Sequence, residues 1–134
     1  MSSQSRRSPS YRANASKLHI EVGEMLFSSP YTKSYRIYQE YPVKKICPKF
    51  KSGKEKFDWV ILDLQLVIEC HGEQHYTPIC FGGISLDEAE LNFKKQQVRD
   101  RLKREAVLSI GWSYVVFKYD EPITVSSLID KFLS

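Results

Sequence analysis

The chain has 134 residues, 42% of them hydrophobic and 13% aromatic, which is enough apolar surface for one packed core and argues against a disordered chain. No apolar run approaches the roughly 18 residues that span a bilayer, and the N-terminal MSSQSRRSPSYR lacks the apolar stretch of a signal peptide, so a soluble intracellular protein with no membrane partner is expected. The net charge of +4 is uneven, with 12 Lys/Arg against 4 Asp/Glu in residues 1–56 and 8 against 12 in residues 57–134, a split that suits one surface meeting a polyanion and another gathering carboxylates around a cation.

Residues 1–15 are Ser/Arg-rich with no acidic residue and read as a flexible basic arm, in which Arg6, Arg7 and Arg12 could close on a phosphate backbone. A single domain over 16–134 follows. Leu18, Val22, Met25 and Leu26 recur at helical spacing between an N-cap at Ser16 and a stop at Pro30. The Tyr-rich run 34–43 ends at Pro42 and predicts a strand near a sheet edge. Lys44 and Lys45 open a basic loop over 44–56 that contains Cys47. Two short apolar runs, 57–62 and 64–70, then predict a buried hairpin turning near Asp63, though without an Asn-Gly type turn signal.

The stretch 71–85 reads as a long loop. It leads into a helix that has a capping box at Ser85 and Glu88, an apolar stripe of Leu91, Val98, Leu102, Ala106 and Ile110, and Gly111 at its C-terminus. The run 112–119 is a further strand, and 125–133 a short final helix. The order α-β-β-β-α-β-α predicts an α/β fold, a small mixed sheet flanked by helices. Three cysteines, Cys47, Cys70 and Cys80, without a CxxC pair indicate neither a disulfide framework nor a cysteine-rich zinc knot.

The chemistry concentrates on the hairpin and the loop after it, where Asp58, Glu69, His71, Glu73 and His75 include two of the three histidines. Carboxylates interrupting runs that otherwise favour burial must be paired or bind metal. Glu69 and His71, two apart on a strand, share a face, and a turn near Asp63 sets Asp58 opposite 69–70. Two carboxylates would then approach one hard cation such as Mg²⁺, which takes few carboxylates and fills its shell with water and phosphate oxygens. The competing reading has Asp58 capping a strand end and Glu69 paired with a lysine.

The residues FDWVILDLQLVIECHG, then Gln74-His75, then KKQQVRDRLKREAVLSIGWSYVVF also carry a resemblance. Over about 57–118 the chain resembles the PD-(D/E)XK nuclease superfamily, with its restriction-endonuclease-like core, and within it the very-short-patch repair endonuclease branch, the EDxHD nucleases. The resemblance implies that Asp58 is the principal metal ligand, assisted by the backbone carbonyl of Cys70, and that Glu69 holds the acidic place of the superfamily E-x-K step. His71 stands where that superfamily often has lysine and would orient water or the scissile phosphate. His75 would activate water or contact phosphate, and Asp100 would be the final acid. The helix-one acid is left open between Glu21, the first choice, Glu24 and His19. The loop after Gly72 lacks the aromatics and cysteine of the mismatch-repair members, so mismatch recognition and a structural zinc are not expected; the Gly-x-Gln-His form is nearer to phage, homing and mobile-element relatives.

The expected function is therefore a DNA endonuclease dependent on Mg²⁺ or Mn²⁺, with Lys94, Lys95, Arg99, Arg101 and the 44–56 loop positioning the phosphates. A homodimer or a partner protein would supply specificity. The alternative is a non-catalytic module of the same fold binding DNA or RNA. A Cys-His hydrolase built on Cys70 is disfavoured, because neighbouring strand residues point to opposite faces.

Overall fold

The computed structural model describes residues 9–80 and 82–134. Helix α1 (Lys17–Ser28) begins where the Ser16 hydroxyl accepts the His19 N–H. The run 34–43 yields only β1 (Ile37–Pro42), because the N–H groups of Lys33 and Tyr35 are already bonded to the Ser29 and Thr32 carbonyls in a turn. Strands β2 (Lys56–Ile61) and β3 (Leu66–His71) form the expected hairpin. It turns through a short 3₁₀ segment, Leu62–Leu64, followed by Gln65 in the left-handed region at φ 50°. Asp63 lies at the middle of that turn, as expected, and its carboxylate accepts the Arg36 N–H and the Arg36 guanidinium, tying the hairpin to the start of β1.

Helix α2 (Leu86–Ser109) is capped by Ser85, whose Oγ accepts the Glu88 N–H, and it stops at Gly111, which takes φ 81°. Strand β4 (Ser113–Lys118) and helix α3 (Val125–Leu133) complete the chain. The sheet runs β1-β2-β3-β4, with β1-β2 and β2-β3 antiparallel and β3-β4 parallel across the α2 crossover. This is the α/β order α-β-β-β-α-β-α. No helix among the described residues is long and apolar enough to cross a membrane.

Strand alternation divides the core in two. Leu66 and Ile68 join Trp59, Ile61, Val115 and Phe117 beneath α1 and α3, against Val22, Leu26 and Leu128. Val60, Val67 and Phe57 pack toward α2 with Val43 and Val107.

Two expectations need correction. The apolar stripe of α2 is not its packed face: Leu91 is 52% exposed, and Val98, Leu102 and Ile110 are exposed as well, while Ala89 and Val107 are the buried residues of this helix. The face that reaches the sheet carries Asp100, Lys103 and Val107, because it closes over polar groups at the end of β3. The basic arm is also only partly as expected. Arg6 and Arg7 lie outside the described residues, but residues 9–15 are docked: Tyr11 packs edge-on to the Trp59 and His19 rings and donates to Glu24, and Arg12 is ion-paired with Glu40.

Candidate functional site

The β2–β3 register, with Trp59 opposite Ile68 and Val60 opposite Val67, brings Asp58 level with Glu69. Each carboxylate then caps the other strand's backbone. The Asp58 N–H donates to Glu69 Oε1 at 2.8 Å, and the Cys70 N–H donates to Asp58 Oδ2 at 2.7 Å. On the other side, the β1–β2 ladder pairs Gln39 with Trp59 and Tyr41 with Phe57 but skips Glu40, which sits at φ 49°. At this break Asp58 and Trp59, although consecutive, both meet α1. His19 Nδ1 lies 3.8 Å from Asp58 Oδ1, and the His19 ring stacks on Trp59 at 4.9 Å.

Glu69 is 2% exposed, and its second oxygen accepts from Lys103 Nζ at 3.1 Å; the same ammonium donates to the Lys56 carbonyl at 2.7 Å. Burial and the neighbouring Asp58 charge push the Glu69 carboxyl well up, and Lys103 opposes them. Burial alone would also raise Asp58, but the nearby His19 imidazole, the bond from the Cys70 N–H and the Lys103 charge hold it below the usual carboxylate range.

One residue past β3, a 3₁₀ turn over Glu73–His75 folds His75 back onto the end of the strand. The His71 and His75 rings lie face to face, centroids 4.1 Å apart and 7° from parallel. His75 Nδ1 is 2.9 Å from Asp100 Oδ2, and Gln96 Nε2 donates to the other Asp100 oxygen. Burial would raise Asp100, but the His75 and Gln96 bonds and the two imidazoles hold it low, so the carboxylate is ionised and fixes the proton of His75 on Nδ1. His71 Nδ1 meets the Tyr76 hydroxyl at 3.1 Å, while its Nε2 is buried without a hydrogen-bond partner, 3.8 Å from Asp100 Oδ1. Burial, then the charge of His75, presses the His71 pKa down to about 4, so this ring is neutral at physiological pH.

Of the helix-one candidates, His19 is buried beside Asp58, whereas Glu21 and Glu24 are exposed and Glu24 accepts from Tyr11. Lys44, Lys45, Lys94, Lys95 and Arg101 are exposed, and Arg99 donates to Gln96. Cys70 is no nucleophile: burial and the two adjacent carboxylates push its thiol far up. Lys103 was not anticipated from the sequence. Its signal is spacing, since Gln96, Asp100, Lys103 and Val107 recur at intervals of three and four and trace one helix face.

The donor sets differ in how well they suit a divalent ion. Both Glu69 oxygens already hold donors, so Glu69 does not fit as a metal ligand while Lys103 is in place. Asp58, with its side chain 34% exposed, can accept a hard cation. His71, His75 and Asp100 each offer a ligand atom, all within 4.8 Å of one another, a mixed imidazole and carboxylate set that suits Mn²⁺ or Zn²⁺ better than Mg²⁺. Compared with known proteins, the chain matches no protein-family model and no curated sequence.

Proposed function

We propose that the chain is a metal-dependent endonuclease that hydrolyses DNA phosphodiester bonds and belongs with the EDxHD nucleases it resembles. The observation that carries this reading is the pairing of an oriented base with a neutral imidazole at the end of β3. Asp100 holds His75 by Nδ1, beside a His71 whose buried Nε2 has no partner.

With its proton held on Nδ1, His75 presents a basic Nε2 that takes the proton of the attacking water. Neutral His71 donates from Nε2 to a phosphate oxygen when the Tyr76 hydroxyl donates to its Nδ1. Asp58 would hold the metal, and His19, hydrogen-bonded to the Gln39 amide and stacked on Trp59, fixes the Asp58 carboxylate from the α1 side. A bound Mg²⁺ or Mn²⁺ supplies Lewis acidity to the phosphodiester and acidity to water. The Glu69–Lys103 pair serves as a positioning element that holds α2, and with it Asp100, against β3.

Incubation of the chain with supercoiled plasmid tests the reading. Nicked or linear product is expected with Mg²⁺ or Mn²⁺ and none with EDTA, and Asp58→Ala should lose the activity while keeping its fold and DNA affinity. Binding without metal-dependent cleavage would instead identify a non-catalytic nucleic-acid-binding module.

A further inference from the structure

A groove of about 530 Å³ opens from His71 and His75 and runs between α2 and β4. Its α2 wall carries Arg101 and Arg104, three apart and therefore neighbours on the helix surface. Its β4 wall carries Tyr114 and Lys118, four apart on a strand and therefore on the same face. Lys131 reaches in from α3, partly committed to Glu121 at 3.2 Å. Asp100, the carboxylate lining the groove, is already held by His75 and Gln96.

The floor supplies a second, independent observation. The buried side-chain polar atoms without a hydrogen-bond partner among the described residues are His71 Nε2 and the Tyr114 hydroxyl, and both residues line this groove. Buried polar groups are nearly always satisfied, so two unpartnered polar atoms on residues that line one groove are donors left over for what enters it. The Tyr114 hydroxyl stays protonated, since burial and the nearby carboxylates push its pKa up, and it can act as a donor. Two donors below and several cations around the rim call for an anion with several acceptor oxygens. The groove's volume is enough for a nucleotide unit of one strand.

Building on the endonuclease reading, we propose that the groove between α2 and β4 seats the backbone phosphates of a single nucleic-acid strand, bound by Arg101, Arg104 and Lys118 and by the buried Tyr114 hydroxyl. The strand leaving the scissile bond would thus be separated from its complement as it enters, and the preferred substrate would carry an unpaired segment next to the cleavage point.

Fluorescence anisotropy in EDTA, with a labelled oligothymidylate and a duplex of equal length, tests the proposal without requiring cleavage. Arg104→Ala and Tyr114→Phe should each weaken single-strand binding by about fivefold to tenfold and leave duplex binding within twofold. Arg104→Ala should also reduce the slope of log K against log salt by about 0.7, the value for one phosphate of a single strand. Arg104→Lys should recover part of the affinity, and circular dichroism of each variant should match the parent. Wild-type single-strand affinity in both variants, or equal losses for strand and duplex, would overturn the proposal. A chain that never cuts plasmid yet shows the selective losses would remove the nuclease reading and keep the groove.

Discussion

The two faces of the sheet are built to opposite rules. Beneath α1 and α3, Trp59, Ile61, Ile68 and Phe117 pack against Val22 and Leu26 in an ordinary apolar layer. Toward the end of α2, the same sheet buries Glu69 and His71 and meets Asp100 and Lys103 from the helix. The two buried histidines show the difference at single-residue scale. On the α1 side, burial disfavours charge on His19, yet the neighbouring Asp58 carboxylate and the bond to Gln39 win and raise its pKa. On the α2 side, burial and the charge of His75 outweigh the pull of the Asp100 and Asp58 carboxylates, and the pKa of His71 falls. One face is satisfied within the fold, whereas the other leaves His71 Nε2 and the Tyr114 hydroxyl without a hydrogen-bond partner among the described residues.

The largest expected effect lies on the apolar face. Trp59→Ala removes the ring that stacks on His19 and fills the space under α1, and it should cost about 3–5 kcal/mol in denaturant unfolding. A smaller loss would mean that Tyr11 and Phe27, which flank the ring, collapse into the space.

On the polar face, His75→Ala should leave the unfolding midpoint nearly unchanged and lower the single-turnover cleavage rate by about 100-fold or more, equivalent to about 2.7 kcal/mol. Calorimetric titration with Mn²⁺ sharpens the assignment. Metal affinity unchanged by His75→Ala supports a base, and affinity lost would shift the ion to the His71, His75 and Asp100 cluster.

The histidines also predict opposite pH responses. His71 has a folded pKa of about 4 against an ordinary value of 6.5, so the unfolded chain binds its proton first as pH falls. Stability from the neutral ring is complete above about pH 6.5 and is lost toward pH 4, by about 2 kcal/mol at pH 4.5. His71→Asn should therefore show a flatter decline in unfolding free energy between pH 7 and 4.5 than the parent; parallel curves would deny the shift. His19 acts with the other sign. Its charged form is favoured in the fold, so its contribution is complete below its unfolded pKa and fades as pH rises through the raised one.

The smallest effect separates the two sides of α2 itself. Leu102→Gln, at an exposed position, should change stability by no more than about 0.5 kcal/mol, while Val107→Ala, one helix turn and a residue further on and fully buried, should cost about 1–2 kcal/mol. Equal costs would show that the exposed apolar stripe is covered in solution.

Local chemistry made the fold and much of the candidate site legible in the sequence. Ser16 and Ser85 announce helix starts through their caps, Gly111 a helix end, and the runs flanking Asp63 a hairpin, because capping and strand alternation are decided within a few residues. Asp58 and Glu69 stood out because charge inside apolar runs conflicts with burial, His71 and His75 because they cluster with these carboxylates on the hairpin and the loop after it, and Asp100 only through the resemblance. The sequence put Glu21 first among the helix-one residues, but His19 is the one beside Asp58, and its approach depends on a ladder break at Glu40, a left-handed residue with no glycine to mark it. Nor could it tell which stripe of α2 faces inward. Helical periodicity favours the apolar set of Leu91, Val98 and Leu102, but the helix turned to the sheet whichever side satisfied Glu69 and the end of β3, and Lys103 and Asp100 did so. Apolar pattern along one chain is a local property, whereas satisfying a buried carboxylate needs a partner from another element, 34 residues away in this case, and only the tertiary structure selects that partner.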